Sequence, residues 1–558
     1  MVRISKLLKE YRKQLLVSFL LVVCVCGYLY LSQTAGIIIK IRTADQTSFP
    51  NHDGGTQRAS DADQQVSTND ASSINDEKNA NKEEENQTIR KTASQPHILL
   101  VITDDQGYND VGYNEFTKVK TPYIDELARN GIILDNYYVQ STCTPTRGQL
   151  FTGRHEIHTG LDQVILPGIG CSLPLNMPTI ADKLQDAGYS TNLVGKWHLG
   201  FQTTDHLPTR RGFDHFFGLL NGHSDYFSYY TGSEYNEGGY DLYEDEEPAD
   251  VNKYKGIYST KVFADRAIDI VNSHHTSQPL FLVVAFTAPH TPFEAPKEYI
   301  KPYEGAYVNT TDKTYAGMIT CLDEAVGNIT QAFKAKGLWE NTVMIYTSDN
   351  GAMPLLTKSN YPLRGHKGTI LEGGIKVPAF VYSDLMNTGV RGTVSKELMH
   401  VTDWFPTLIR IGQGDIENTG NLYGLDLSRT ILKGERSPRT EILHELSSRM
   451  ISPGNKIFND TFDTRIRASL RMGNWKILTG YVQVGHYYKS KHDTDLQLYN
   501  IKNDPTEAFD MSKARPDIVK QMLDRLEYHR NTMVPHLGYI KDERSFPKYH
   551  DGFWRPWM

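Results

Sequence analysis

Four short apolar, β-branched runs, each ending directly on polar residues, constrain this chain more than any other feature. His97–Thr103 (HILLVIT) ends on Asp104-Asp105, Thr191–Gly195 runs into Lys196-Trp197-His198, Pro279–Thr287 (PLFLVVAFT) leads to His290, and Thr342–Ser348 (TVMIYTS) ends on Asp349-Asn350. Runs this short and this continuously apolar read as strands covered on both faces. Helical patterns lie between them. Thr121-Pro122 reads as a cap followed by proline at the first position of a helix ending near Gly131, and Thr179–Ala187 is a helix stopped by Gly188. Tyr315, Ile319, Leu322, Val326, Ile329 and Phe333 form one helical stripe. This alternation predicts an α/β fold with a doubly wound, mostly parallel sheet, whose ligands bind beyond the carboxyl ends of the strands. The four polar strand ends therefore share one rim.

A chain of 558 residues is too long for a single small core. After one more strand, Val377–Tyr382, the pattern loosens, and we expect a main domain over 96–435 and a smaller α+β domain over 436–558. The latter holds β-like pieces such as Trp475–Leu478 and a terminal helix around Pro516–His529. Residues 43–95 are too poor in large apolar side chains to offset chain entropy and read as a flexible acidic and polar stem.

Ahead of the stem, Arg3, Lys6, Lys9, Arg12 and Lys13 precede an apolar run over 15–31. A basic tail (1–14) before a spanning run predicts a single-pass type II signal anchor, with the rest of the chain in the lumen of the secretory pathway or outside the cell; a cleaved signal peptide is the alternative. Sequons at Asn86, Asn309, Asn328 and Asn459 agree with a lumenal location. Cys143, Cys171 and Cys321 lie beyond the apolar run, so at least one lumenal thiol lacks an intramolecular partner. We expect Cys171 and Cys321 to pair and Cys143 to be the odd one. A net charge of −7 gives no general attraction to nucleic acid, so an anionic substrate must be held by local cations.

Cys143-Thr-Pro-Thr-Arg147 places a cysteine just before an expected helix start, with Pro145 setting the helical φ and Arg147 supplying a fork for oxyanions. Such a place favours a thiolate, sulfate or phosphate. Asp104, Asp105, Asp349 and Asn350 are hard oxygen donors suited to Ca²⁺ or Mg²⁺. Lys196 and Lys367 add cations, and His198 and His290 can move protons near neutral pH. Together these groups fit hydrolysis of an ester of a tetrahedral oxyanion.

The stretch Cys143-Thr-Pro-Thr-Arg-Gly-Gln-Leu-Phe-Thr-Gly153 resembles the first signature of the sulfatase family, and Gly188-Tyr-Ser-Thr-Asn-Leu-Val-Gly-Lys-Trp-His198 resembles the second. Leu207–Asp214 and Ala288–Pro292 look most like the arylsulfatase B, or N-acetylgalactosamine-4-sulfatase, type. The resemblance implies an alkaline-phosphatase-like fold and a sulfuric ester hydrolase acting on a sulfated sugar, glycosaminoglycan or aryl ester. It implies that the formylglycine-generating enzyme converts Cys143 to formylglycine, and that one Ca²⁺ binds Asp104, Asp105, Asp349, Asn350 and the modified Cys143. It further implies that Arg147 and His198 hold the aldehyde hydrate, that Lys196 and Lys367 bind sulfate oxygens, and that His290 joins Lys367 as proton donor. Two other readings stay open: a phosphatase or phosphodiesterase of the same fold, which would use Ser or Thr where this chain has Cys143, and a catalytically silent, membrane-anchored binder of sulfated glycans.

Overall fold

Every residue of β1 (His97–Thr103) is buried, and its side chains alternate between two separate cores. Ile98, Leu100 and Ile102 enter one, Leu99 and Val101 the other. A strand covered on both faces must be apolar throughout, which is why no polar residue interrupts the run. The computed structural model describes residues 95–114, 116–356, 358–452, 462–482 and 496–558. The basic tail, the apolar run, the stem up to residue 94 and the sequons at Asn86 and Asn459 lie outside the described residues. Among the described residues no helix is long and apolar enough to cross a membrane.

Following β1 come α1 (Pro122–Asn130), β2 (Ile132–Leu134), α2 (Cys143–Thr152), α3 (Ile180–Asp186), β3 (Ser190–Lys196) and β4 (His215–Leu219). The short β5 (Tyr243–Glu244) and β6 (Glu247–Pro248) precede α4 (Ser259–Ser273), β7 (Leu280–Ala285), α5 (Thr310–Lys336), β8 (Thr342–Ser348), β9 (Ala379–Ser383) and β10 (Thr393–Ser395). These strands form one sheet in the order β10-β2-β9-β8-β1-β7-β3-β4-β5-β6. The five central strands, β8-β1-β7-β3-β4, are parallel, and antiparallel pairings flank them. Leu150, Phe151, Ile180 and Leu184 of α2 and α3 pack on one face. Ile124, Phe263 and Leu322 of α1, α4 and α5 pack on the other. The sheet is thus doubly wound and mostly parallel, as the strand–helix alternation predicts.

The expected bridge between Cys171 and Cys321 does not form: both are buried free thiols, as is Cys143. Cys171 belongs to the core over α2 and α3, whereas Cys321 lies on α5 against Tyr258 and Tyr299. They sit on opposite sides of the sheet, and a disulfide needs Cα atoms within about 7 Å.

The smaller C-terminal sheet is antiparallel, in the order β11 (Glu441–Ile451), β12 (Ile466–Met472), β13 (Trp475–Thr479) and β14 (Gln497–Asn500). α6 (Pro516–Arg530) covers it with Val519, Met522, Leu523 and Leu526. The chain then returns to the main sheet, where Phe546 and Trp554 are buried in the α2/α3 core.

Candidate active site

Parallel register sets the site. Thr103 of β1 lies level with Ser348 of β8, and the Asp349 amide donates to Thr103 O at 3.0 Å, so both acidic groups leave the sheet at the same height. The Asp104 amide donates to Ala288 O beyond β7 at 3.2 Å. β3 ends on Lys196 beside β7. Asp105 and His198 take positive φ values of 63° and 59°. Such backbone is uncommon for residues with a Cβ and is held by the surrounding structure at sites where side-chain direction matters.

α2 begins at Cys143 itself, one residue earlier than the sequence suggests. Thr142 is extended, and Pro145 occupies the third helical position, where its missing N–H has no partner to lose. Cys143 is 2% exposed. Burial pushes its thiol pKa up despite the Lys196 and Lys367 ammoniums, with Asp349 and Asp104 also raising it. Burial and the nearby carboxylates thus work against the thiolate that the helix start and the two lysines favour.

Three cations interlock with three carboxylates. Arg147 donates from Nε (3.1 Å) and Nη2 (2.8 Å) to Asp349 Oδ2 and from Nη1 to Lys196 O (3.1 Å). Lys196 Nζ is 2.7 Å from Asp104 Oδ2, and Lys367 Nζ is 2.6 Å from Asp105 Oδ1. Asn350 Nδ2 donates to Asp105 Oδ1 at 2.6 Å. Burial would raise Asp105, but Lys367 and His290 hold it down at about 2. For Asp349 burial and Asp104 prevail over Arg147 and Lys196, and its pKa is raised.

His198 is buried and His290 half-buried, and each holds one defined tautomer. His198 Nε2 donates to Ile165 O (2.9 Å), which leaves Nδ1 as an acceptor with no hydrogen-bond partner. Burial holds His198 well below the ordinary histidine range. His290 Nδ1 donates to Thr291 O (2.6 Å), and its Nε2 lies 3.7 Å from Asp105 Oδ2. Burial and Lys367 hold it at about 4 against the pull of Asp105.

Asp104, Asp105 and His290 offer ligand atoms within 4.8 Å of one another. Asp104 Oδ1, Asp105 Oδ2 and Asn350 Oδ1 are buried with no hydrogen-bond partner. Orphaned anionic and amide oxygens fit a hard divalent cation. The catalytic and metal-ligand candidates singled out from sequence thus lie at one rim, whereas Asn309 and Asn328 are exposed away from it. His223 was missed: it stacks on His290 at 5.6 Å between ring centroids. Its signal was positional, since it follows β4 at the same rim as the other strand ends.

A buried cluster of interlocked cations and carboxylates at the carboxyl edge of a doubly wound sheet, backed by a smaller antiparallel sheet, belongs to a sulfuric ester hydrolase of alkaline-phosphatase-like fold. The chain belongs to the Sulfatase family, whose profile matches residues 96–413. It is 42% identical over 486 residues to arylsulfatase J of Mus musculus, covering 83% of this chain and 80% of that one. It is 30% identical over 369 residues to the mouse N-acetylgalactosamine-6-sulfatase, covering 62% and 68% respectively. The crystal structure of Ps i-CgsB in complex with k-i-k-neocarrahexaose superposes with a TM-score of 0.69 at 27% identity, covering 81% of this chain and 96% of that one.

Proposed function

We propose that this sulfatase removes sulfate from a sulfated sugar or glycosaminoglycan, using formylglycine derived from Cys143 and one bound Ca²⁺. The observation that carries the reading is the set of buried, unpartnered oxygens on Asp104, Asp105 and Asn350, at the same rim as the buried Cys143. Asp104, Asp105, Asp349, Asn350 and the modified side chain at 143 would hold the ion, which when bound draws charge from the ester oxygens. A formylglycine at position 143 would supply, once hydrated, two hydroxyls on one carbon where the thiol supplies a single nucleophile.

The chain's own groups divide the remaining work. Lys196 and Lys367 each spend one N–H on a carboxylate and retain others for sulfate oxygens. Arg147, one turn after Cys143 on the same helix face, fixes Asp349 and the Lys196 carbonyl. His198 Nδ1 is positioned to accept a hydroxyl proton. Burial opposes the Lys367 charge, but Asp105 raises its pKa, which keeps it a cation; Lys367 is the candidate proton donor to the leaving alcohol, with His290 beside the same Asp105 carboxylate.

The names of the galactosamine sulfatase and carrageenan-bound relatives support a sulfated sugar as substrate. Cys143 is inaccessible once folded, which fits conversion by the formylglycine-generating enzyme before folding. Asn309 and Asn328 are exposed and suit N-glycosylation, and the N-terminal apolar run fits a type II anchor in Golgi, lysosome or cell surface membranes.

Tryptic mass spectrometry of the Cys143 peptide, from a host that makes formylglycine, should find the aldehyde. Sulfate release is expected from one member of a panel including N-acetylgalactosamine 4- and 6-sulfates. Cys143→Ala should abolish turnover with an unchanged thermal midpoint. An unmodified thiol together with intact glycan binding would instead support the silent binder.

A further inference from the structure

The C-terminal sheet reaches into the site through a closed ring of four residues. Ser141 Oγ donates to Glu445 Oε2 at 3.0 Å. Glu445 is paired with Arg467, whose Nη2 lies 3.0 Å from Glu445 Oε2 and whose Nε contacts Oε1. Arg467 Nη2 also donates to Gly368 O at 3.2 Å. The Gly368 amide closes the ring by donating to Ser141 O at 2.7 Å. Ser141 is 4% exposed, Glu445 7% and Arg467 0%.

The positions of the two catalytic-domain members give the ring its meaning. Ser141 lies two residues before Cys143, and Gly368 directly follows Lys367. The backbone bond between Ser141 and Gly368 thus joins the nucleophile's segment to the loop of the sulfate-binding lysine. Glu445 on β11 and Arg467 on β12 clamp that junction from outside. The same loop is anchored again a few residues on. The Glu372 amide donates to Glu507 Oε2 at 2.8 Å, and Lys476 Nζ on β13 is 2.9 Å from Glu372 Oε1.

A buried, bidentate Arg–carboxylate pair costs desolvation and is a poor source of net stability compared with apolar packing. Its geometric value is high, because the planar fork fixes direction as well as distance. We infer that Arg467 and Glu445 are positioning residues for the reaction: through Gly368 and Ser141 they set the separation of position 143 from the Lys367 ammonium. The inference rests on the roles assigned above to Cys143 and Lys367.

The test is a double-mutant cycle with a small aryl sulfate, joined to hydrogen exchange. Arg467→Lys keeps the charge and loses the fork, while Ser141→Ala removes one arm and leaves the ion pair in place, so at least one variant should fold. Each should lower kcat about tenfold or more, with KM changing less than about twofold, because misplacement of order 1 Å costs up to about a hundredfold. In a Lys367→Ala background the Arg467→Lys effect should shrink to less than about twofold, since the group being positioned is gone. Exchange in the peptide carrying the Gly368 amide should accelerate in Arg467→Lys. Undiminished loss in the Lys367→Ala background, or unchanged exchange at Gly368, overturns the inference. Formylglycine occupancy at 143 is measured in every variant: its absence from the parent enzyme counts against the proposed function, and the exchange measurement still decides the ring.

Discussion

At the residue scale the site is governed by desolvation. Arg147 and Asp349 are both fully buried, and the guanidinium gives two N–H groups to one carboxylate oxygen and a third to a backbone carbonyl. Removing the arginine leaves Asp349 with only the Lys196 ammonium, 4.0 Å away, as counter-charge, and breaking a buried pair in this way costs about 3–5 kcal/mol. Arg147→Ala should therefore lower the free energy of unfolding by about that amount in urea titrations. Adding Asp349→Asn should restore part of it, because no buried charge is then left alone. A double variant no more stable than Arg147→Ala would show that the arginine acts through packing rather than charge. Activity should be lost in both, since Asp349 is a candidate metal ligand and Arg147 orients it.

At the scale of elements, the tight end of β3 is the vulnerable point. Gly195 precedes Lys196 with φ at 105°, and a Cβ built there would lie 2.0 Å from Ala285 O on β7. On the other side, a Cβ on Gly218 of β4 would lie 1.9 Å from Gly195 O. Neither neighbour is a flexible side chain. Gly195→Ala must part the strands and swing Lys196 off Asp104, so we expect a loss of about 2–3 kcal/mol from strain and ladder disruption. Thermal unfolding and sulfate release should fall together.

The main strands were legible because burial on both faces forces continuous apolar runs, and the rim followed from where those runs stop. The C-terminal sheet was harder to read: β11 (EILHELSSRMI) mixes charge into a strand because Glu445 and His444 face a buried seam rather than solvent. Partners such as Ser141 and Glu445 are 304 positions apart, and no periodicity announces a pairing of that kind. Cysteine parity held, since Cys143, Cys171 and Cys321 are all free, but the pairing of Cys171 with Cys321 was not legible from it. Parity counts thiols, whereas a bridge depends on which side of the sheet each occupies.

At the scale of the whole molecule, buried groups respond to acid in opposite directions: histidines in the seam between the main domain and the C-terminal sheet, and carboxyls on and against the Thr310–Lys336 helix. His155 and His400, from the main domain, stack at 6.0 Å between centroids, and His444 on β11 packs on Tyr138 at 4.9 Å. All three are 0% exposed, and burial holds each well below the ordinary histidine range. A histidine that is neutral when folded and free to protonate when unfolded makes the unfolded chain bind more protons below about pH 6.5. Its contribution to stability is complete above that value and declines as the pH falls. Asp110 and Asp323 respond the other way: burial raises each to about 7, so the folded state retains a proton that the unfolded chain releases above its ordinary carboxylate range. The pH profile of the parent protein sums these opposed trends, so a substitution is needed to isolate one of them. His444 is the clean choice, because neither ring nitrogen has a hydrogen-bond partner and a phenyl ring can keep the contact with Tyr138. His444→Phe should be neutral or mildly stabilising at pH 7.5. Its advantage over the parent should then grow by up to about 1.4 kcal/mol for each pH unit below 6.5, measured as the difference between urea unfolding curves at pH 7.5, 6.5 and 5.5. A difference that stays constant across that range would mean that His444 does not cross from charged to neutral on folding, and that the seam tolerates an imidazolium.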